Sequence, residues 1–250
     1  MTNGKKLYFV SDAHLGLPNE KESLVREKKL VAWLNEIEPT AEAIYLMGDI
    51  FDFWFEYKKV VPKGFTRLLG KLAHLTDNGI PVYFFVGNHD LWEYGYFEQE
   101  IGLKVFHSPQ TLEIDGKRFY LAHGDGLGPF DKGYVWLKKL FTNSVAQWFF
   151  RWLHPDIGVG LAHYWSHKSR YAEGEDHLDY LGEEKESLIS HSKELLKTSH
   201  YDFFIYGHRH VALEKMLSDK TKLIYLGDWL NNFSYAEFDG EQVTLNYFLR

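Results

Sequence analysis

The chain has no cysteine, only seven prolines in 250 residues, and no long apolar run. Without cysteine there is neither a disulfide framework nor a thiolate ligand, so any bound metal must be held by Asp, Asn and His. Such oxygen and imidazole donors suit manganese, iron or zinc. Nowhere does the chain approach the roughly 18 consecutive apolar residues that a membrane-spanning helix needs. Before Ser11 the only apolar run is Leu7-Tyr8-Phe9-Val10, too short for a signal peptide; the expected location is cytoplasmic. Positive charge is outnumbered: the formal net charge is −7, which argues against the broad basic surface that nucleic-acid binding requires. An anionic substrate would have to find its positive charge on bound cations. Linkers, repeats and low-complexity stretches are missing as well, so residues 1–250 read as one domain with an insertion at about 127–175.

What is present begins with short apolar runs rich in aromatic and β-branched residues: Leu7–Val10, Ala43–Leu46, Val82–Val86, Phe203–Tyr206, Lys222–Leu226 and Val243–Phe248. They read as buried strands. Glu20–Glu38 and Phe65–Asn78 carry apolar residues at helical spacing, and a polar helix is expected over His177–Thr198. Asp115-Gly116 and Asp239-Gly240 are hairpin-turn pairs. Alternation of strand and helix predicts a layered α/β sandwich.

Five motifs punctuate these elements: Ser11-Asp12-Ala13-His14, Gly48-Asp49, Gly87-Asn88-His89-Asp90, His123-Gly124-Asp125 and Gly207-His208-Arg209-His210. Each starts at or just past the end of an apolar strand, the edge of an α/β sheet where ligands gather. Asp12 and His14 stand two apart and would project to one side of an extended backbone. Asp49 offers two oxygens able to bridge two cations. Asn88 is a neutral oxygen donor, His89 a candidate general acid, and Asp90 a group that could orient its imidazole. Any one motif alone is ordinary turn chemistry. A complete donor set at five successive strand ends is not, and together the motifs predict a two-metal phosphoesterase centre.

The motif series D-x-H, G-D, G-N-H-D, H-G-D and G-H-x-H resembles that of the calcineurin-like metallophosphoesterase superfamily, over Asp12 to Trp229. The resemblance implies a calcineurin-like β-sandwich flanked by helices, with an inserted helical cap. It implies further that Asp12, His14 and His210 bind one divalent metal and Asn88, His123 and His208 the other, with Asp49 bridging. In such centres the ions lie roughly 3.5 to 4 Å apart and clamp the attacking and leaving oxygens, with a metal-bridging hydroxide as nucleophile. Manganese is the expected metal, iron or zinc the alternatives. Gly48-Asp49-Ile50-Phe51-Asp52-Phe53-Trp54, His123-Gly124-Asp125-Gly126-Leu127 with Asp131 and Tyr134, and Leu226-Gly227-Asp228-Trp229 are similar to the UDP-2,3-diacylglucosamine pyrophosphohydrolase family of lipid A biosynthesis. That closer likeness implies hydrolysis at the α-phosphate of an acylated UDP-sugar, releasing UMP. One departure is His89, where that family often carries arginine; histidine either protonates a leaving oxygen or binds phosphate.

Within the insertion, Trp136, Leu137, Leu140, Phe141, Val145, Trp148, Phe149 and Trp152 recur at helical spacing beside Lys138, Lys139 and Arg151. Two readings stand together: a helical cap packed on the body, and an amphipathic surface that shelters acyl chains or rests on a lipid bilayer at the cytoplasmic face of the inner membrane. Asp131, Lys132, Tyr134, Lys168 and Arg170 are the candidate substrate contacts. Competing functions are a metallophosphoesterase acting on another phosphodiester or nucleotide pyrophosphate, and a non-catalytic lipid-binding or scaffold protein.

Overall fold

The structure is a computed structural model that describes residues 4–129, 138–161 and 179–248. In chain order its strands are β1 (Lys6–Val10), β2 (Ala41–Leu46), β3 (Val82–Phe85), β4 (Lys104–Phe106), β5 (Gln110–Ile114), β6 (Lys117–Ala122), β7 (Phe203–Tyr206), β8 (Ala212–Ser218), β9 (Thr221–Leu226), β10 (Ser234–Phe238) and β11 (Val243–Tyr247). Its helices include α1 (Glu20–Ile37), α2 (Thr66–Asp77), α3 (Tyr96–Glu100), α4 (Ser144–Phe150) and α5 (Ser187–Leu196).

The strands form two sheets, ordered β11-β10-β1-β2-β3-β4 and β5-β6-β7-β9-β8. In the first, β1 to β4 run parallel. In the second, β6, β7 and β9 run parallel. Antiparallel partners close the outer positions, with β10 and β11 on one sheet and β5 and β8 on the other. The inner strands are apolar on both sides because both sides are buried. Leu7 and Phe9 of β1 and Phe203 and Ile205 of β7 meet between the sheets. Tyr8 and Val10 instead face Leu30, Trp33 and Leu34 of α1, while Phe204 and Tyr206 face Leu188 and Ile189 of α5. The result is the predicted α/β sandwich of two sheets flanked by helices.

Helix α1 starts at Asn19, whose side chain accepts the Glu22 N–H at 3.0 Å. Its buried Glu27 accepts the N–H groups of Arg67 and Leu68 at 2.8 and 3.1 Å, capping the start of α2. Both Asp115 and Gly116 have positive φ, 50° and 74°, as a tight hairpin demands.

The expected helix over 177–198 is shorter. It begins at Ser187, after Glu186 in an extended conformation, and Gly182 at φ 93° is not helical; His177 lies outside the described residues. Strands β4, β8 and β10 and helix α3 had no clear pattern in the sequence. Edge strand β8 illustrates the cause, since Glu214 and Lys215 break up its apolar alternation.

Of the insertion, residues 138–161 are described. None of the α4 side chains is buried. Phe150 nonetheless packs on Phe55 and Trp92, with ring centroids 4.7 and 4.8 Å apart. Trp92 Nε1 donates to the Phe141 carbonyl at 2.8 Å, and Lys138 pairs with Asp125 at 2.5 Å. The segment is thus seated beside the third and fourth motifs. Among the described residues no helix is long and apolar enough to cross a membrane.

Candidate metal centre

Strand register brings the motifs to one level. Val10 pairs with Leu46 and Leu46 with Phe84 in the first sheet. Ala122 pairs with Tyr206 and Tyr206 with Tyr225 in the second. Six parallel strand ends, three from each sheet, therefore open onto the same edge of the sandwich. Backbone bonds stitch the emerging loops together: Asp12 N–H to Gly48 O at 3.0 Å, His14 N–H to Asp49 O at 3.0 Å, Gly207 N–H to His123 O at 2.9 Å and Trp229 N–H to Asp12 O at 3.0 Å.

These loops are strained. Asp12, His14, Asp49, His208 and His210 all have positive φ, between 42° and 66°, at a cost of about 1 kcal/mol or more for each such residue. Crowding explains three of the motif glycines. A Cβ on Gly48 would stand 2.5 Å from His123 Nδ1, one on Gly87 2.7 Å from Asp49 N, and one on Gly207 2.7 Å from Asp12 Oδ2. Only glycine lets the loops approach this closely.

The structure brings Asp12, His14 and His210 into one cluster. His14 Nε2 lies 3.2 Å from His210 Nε2 and 3.7 Å from Asp12 Oδ1, and His210 Nε2 lies 3.4 Å from the same oxygen. It brings Asn88, His123 and His208 into a second: Asn88 Oδ1 is 3.2 Å from His123 Nε2 and 3.1 Å from His208 Nδ1. Asp49 belongs to both, its Oδ2 lying 3.9 Å from His14 Nε2 and 3.3 Å from His123 Nε2. Three groups among the described residues, Asp12 with His14 and His210, His14 with Asp49 and His89, and Asp49 with His123 and His208, have ligand atoms close enough to hold an ion.

The donor chemistry fits divalent cations. His123 Nδ1 lies 2.9 Å from the Met47 carbonyl. A carbonyl only accepts, so Nδ1–H donates and Nε2 points its lone pair at two oxygens, Asp49 Oδ2 and Asn88 Oδ1. Converging acceptors of this kind need a proton or a cation between them. Asp12 Oδ1 and His14 Nδ1 are buried with no hydrogen-bond partner among the described residues, a costly state that a bound ion relieves at Asp12. The set contains oxygen and nitrogen only, as suits manganese, iron, zinc and related ions.

Electrostatics follow the same geometry. Burial opposes the His14 cation, but the nearby carboxylates of Asp12, Asp52 and Asp49 raise its pKa to about 9. His123 is likewise raised despite burial, chiefly by Asp49. Burial and the neighbouring His123 charge lower His208 to about 4. Burial also works against the Asp12 and Asp49 carboxylates, yet the surrounding histidines hold both below the usual range.

Asp90 sits apart from the role expected of it. Its oxygens accept Gly87 N–H at 2.6 Å and Ile50 N–H at 3.1 Å, so it ties the second motif to the third. Burial, reinforced by Asp49, pushes its pKa up to about 8. The partner of the His89 imidazole is Asp52, whose carbonyl lies 2.8 Å from Nδ1. Burial lowers His89 below its ordinary value, and its ring meets His14 edge-on with centroids 4.8 Å apart.

Three residues that carried no role in the sequence support the clusters. Asp52 Oδ1 lies 3.7 Å from His14 Nδ1, and Asp228 Oδ2 lies 3.4 Å from His210 Nδ1. Both are carboxylates behind an imidazole, the arrangement that orients metal-binding histidines. Their only signal was membership in the Gly48–Trp54 and Leu226–Trp229 blocks. Arg26 of α1 donates to the carbonyls of Ala13, His14 and Leu17 at 2.6, 2.7 and 2.6 Å. Nothing in its helical position advertised that contact. Asp131, Lys132, Tyr134, Lys168 and Arg170 lie outside the described residues.

The sequence model for calcineurin-like phosphoesterase matches residues 5–212. The chain is 42% identical to the UDP-2,3-diacylglucosamine hydrolase of Porphyromonas gingivalis, covering 96% of each chain. It is 27% identical to that of Edwardsiella ictaluri over 95% of this chain and 90% of the relative. Among solved structures it aligns with Yfce, a phosphoesterase from E. coli, at 14% identity and a TM-score of 0.49, covering 98% of this chain and 93% of the other.

Proposed function

We propose, from the premise that this chain belongs to the calcineurin-like phosphoesterase family, that it hydrolyses UDP-2,3-diacylglucosamine to UMP and 2,3-diacylglucosamine 1-phosphate. The observation that carries this reading is the pair of donor clusters sharing Asp49 beside an exposed aromatic helix, in a chain 42% identical to a hydrolase of that name. Two divalent cations, manganese in our reading, would be held by Asp12, His14 and His210 and by Asn88, His123 and His208 with Asp49 between; such ions activate water and neutralise phosphate charge.

The remaining residues then have defined work. His89 donates Nδ1–H to the Asp52 carbonyl, so its Nε2 carries a proton only in the imidazolium form, which a nearby phosphate anion favours. A phosphomonoester leaving group has a second pKa near about 6 and departs as a stable anion. It needs no proton, and His89 therefore serves to bind phosphate charge. Asp90 holds the loops that carry Asp49 and Asn88.

The insertion, taken as a cap over 127–175, supplies the apolar half of the site. Trp148, Phe149 and Trp152 are exposed by 53, 64 and 74%, and Lys139 of the same segment is exposed too. Aromatic and basic side chains in that mix meet acyl chains and the headgroup region of a bilayer, so the chain works at the cytoplasmic face of the inner membrane. Asp131, Lys132, Tyr134, Lys168 and Arg170 complete the polar contacts to sugar and diphosphate.

Incubation of the manganese-loaded protein with UDP-2,3-diacylglucosamine should release UMP, with far slower turnover of UDP-N-acetylglucosamine and an aryl phosphodiester. Comparable turnover of the small diester would point to a different phosphoesterase. No hydrolysis of any of the three would favour a binding protein.

A further inference from the structure

His208 and His210 face different donor clusters, yet one residue separates them. That residue, Arg209, turns away from the centre and is nearly buried. Its Nε donates to Glu186 Oε2 at 2.9 Å and its Nη2 to Glu186 Oε1 at 3.0 Å, a two-pronged pair. Nη2 also donates to the Asp179 carbonyl at 3.2 Å. Glu186 is 1% exposed and further accepts Leu181 N–H at 3.2 Å and Tyr225 Oη–H at 3.4 Å. The pair is fully surrounded by partners, the condition under which a buried ion pair holds one geometry.

Glu186 stands directly before α5, and the start of α5 presses on the fourth motif as well. A Cβ on Gly124 would lie 3.0 Å from Leu188 Cδ1, and one on Gly128 2.5 Å from Ser187 O. The Arg209 N–H is held in a tight turn by Gly207 O at 2.7 Å, and the residues on either side, at φ 66° and 53°, are in a conformation L residues avoid. Strained backbone persists only where its surroundings over-determine it. At the fifth motif two such restraints lie outside the clusters, the Glu186 clamp on Arg209 and Asn232 Nδ2, which donates to the His210 carbonyl at 3.0 Å.

We propose that Glu186 and Arg209 are positioning residues for both metal sites at once: the clamp locks the strained Gly207–His210 turn, so that His208 and His210 stay aimed at their separate clusters. The segment 179–186, which follows the insertion in the chain, is thereby tied to the backbone that carries one ligand of each site. The inference rests on the two-metal reading above. It goes beyond it by making the two sites share a mechanical support that touches neither ion.

The test is calorimetric titration of the purified protein with manganese, together with kcat and KM on bis-p-nitrophenyl phosphate. Arg209→Lys keeps the buried charge balance but cannot form the two-pronged bond. Arg209→Gln combined with Glu186→Gln removes both charges together and avoids stranding either. Manganese affinity should fall about tenfold or more at both sites, kcat should fall with KM little changed, and the circular dichroism spectrum should stay that of the wild type. His210→Ala, by contrast, should weaken the first cluster far more than the second. If the wild type takes up no manganese, the two-metal reading itself fails. If it binds two ions and folded Arg209→Lys binds them equally well, the clamp is merely structural and the inference is overturned. Should the double variant not fold, Arg209→Lys alone decides.

Discussion

His14 and His210 are 196 positions apart in sequence, and their Nε2 atoms lie 3.2 Å from each other. A cation takes neutral imidazoles, so protons compete with it. His14 carries its proton up to about pH 9, because the carboxylates of Asp12, Asp52 and Asp49 outweigh its burial. Manganese affinity at the first cluster should therefore rise with pH, by up to about tenfold per unit between pH 7 and 9. Titration calorimetry at pH 7, 8 and 9 measures this directly, and a flat profile would contradict the assignment of His14 as ligand.

Gly87→Ala places a methyl group against Asp49, 2.7 Å from its backbone nitrogen and in collision with its Oδ1. Asp49 belongs to both clusters, so its displacement disturbs the whole centre. Activity should drop about 100-fold or more, the usual effect of a group shifted by about 1 Å, with a stability loss of about 1–3 kcal/mol. Gly70→Ala in α2, where an added Cβ meets nothing within 4 Å, should leave activity unchanged and add up to about 1 kcal/mol of stability. Steady-state rates and thermal melts of the two variants distinguish close approach from a general intolerance of alanine.

Arg26→Gln strips the first motif of a buried guanidinium that satisfies three carbonyls. Some of these acceptors lose their partner, at about 1–3 kcal/mol for a stranded group. His14 should lose its aim while His123 and His208 keep theirs. Manganese titration should show one weakened and one intact site; equal weakening of both would refute the local role of Arg26.

Burial pushes Glu93 up to about 7, with the nearby Glu56 adding to the effect against a hydrogen bond from Gly95 N–H. The folded pKa exceeds the unfolded one, so the native state holds a proton that the unfolded chain has released between about pH 4.5 and 7. Stability from this group falls as pH rises through that window and then levels off. Glu93→Gln keeps the acceptor for Gly95 and removes the charge. Denaturant melts at pH 8 should show it stabilised by about 1–3 kcal/mol, with the advantage gone by pH 4.5. A pH-independent difference would show that Glu93 is not held protonated.

The parts legible in the sequence are those set by local chemistry. Buried strands such as Phe203–Tyr206 announce themselves because both faces need apolar side chains, and Asp115-Gly116 because a tight turn needs two positive φ angles. Strand β8 was obscured because an exposed edge tolerates Glu214 and Lys215. Asp90 was legible as a polar group near the site, but its partners were not. The chain gives no hint that its carboxylate serves two backbone N–H groups while Asp52 holds the His89 ring.

By itself the sequence determined which donors are available and that they follow strand ends: oxygen and imidazole, no sulfur, beside glycines at Gly48, Gly87 and Gly207. Those are properties of single residues and their immediate neighbours. Only the tertiary structure decided which donors share an ion site, that Asp49 sits between two clusters, and that Arg26, Asp52, Asp228 and the Glu186–Arg209 pair brace them. That decision comes from the register that levels strand ends from two separate sheets, and from the packing of α1 and α5 against the loops they present. Register and packing are long-range relations, and no local pattern of side chains encodes them.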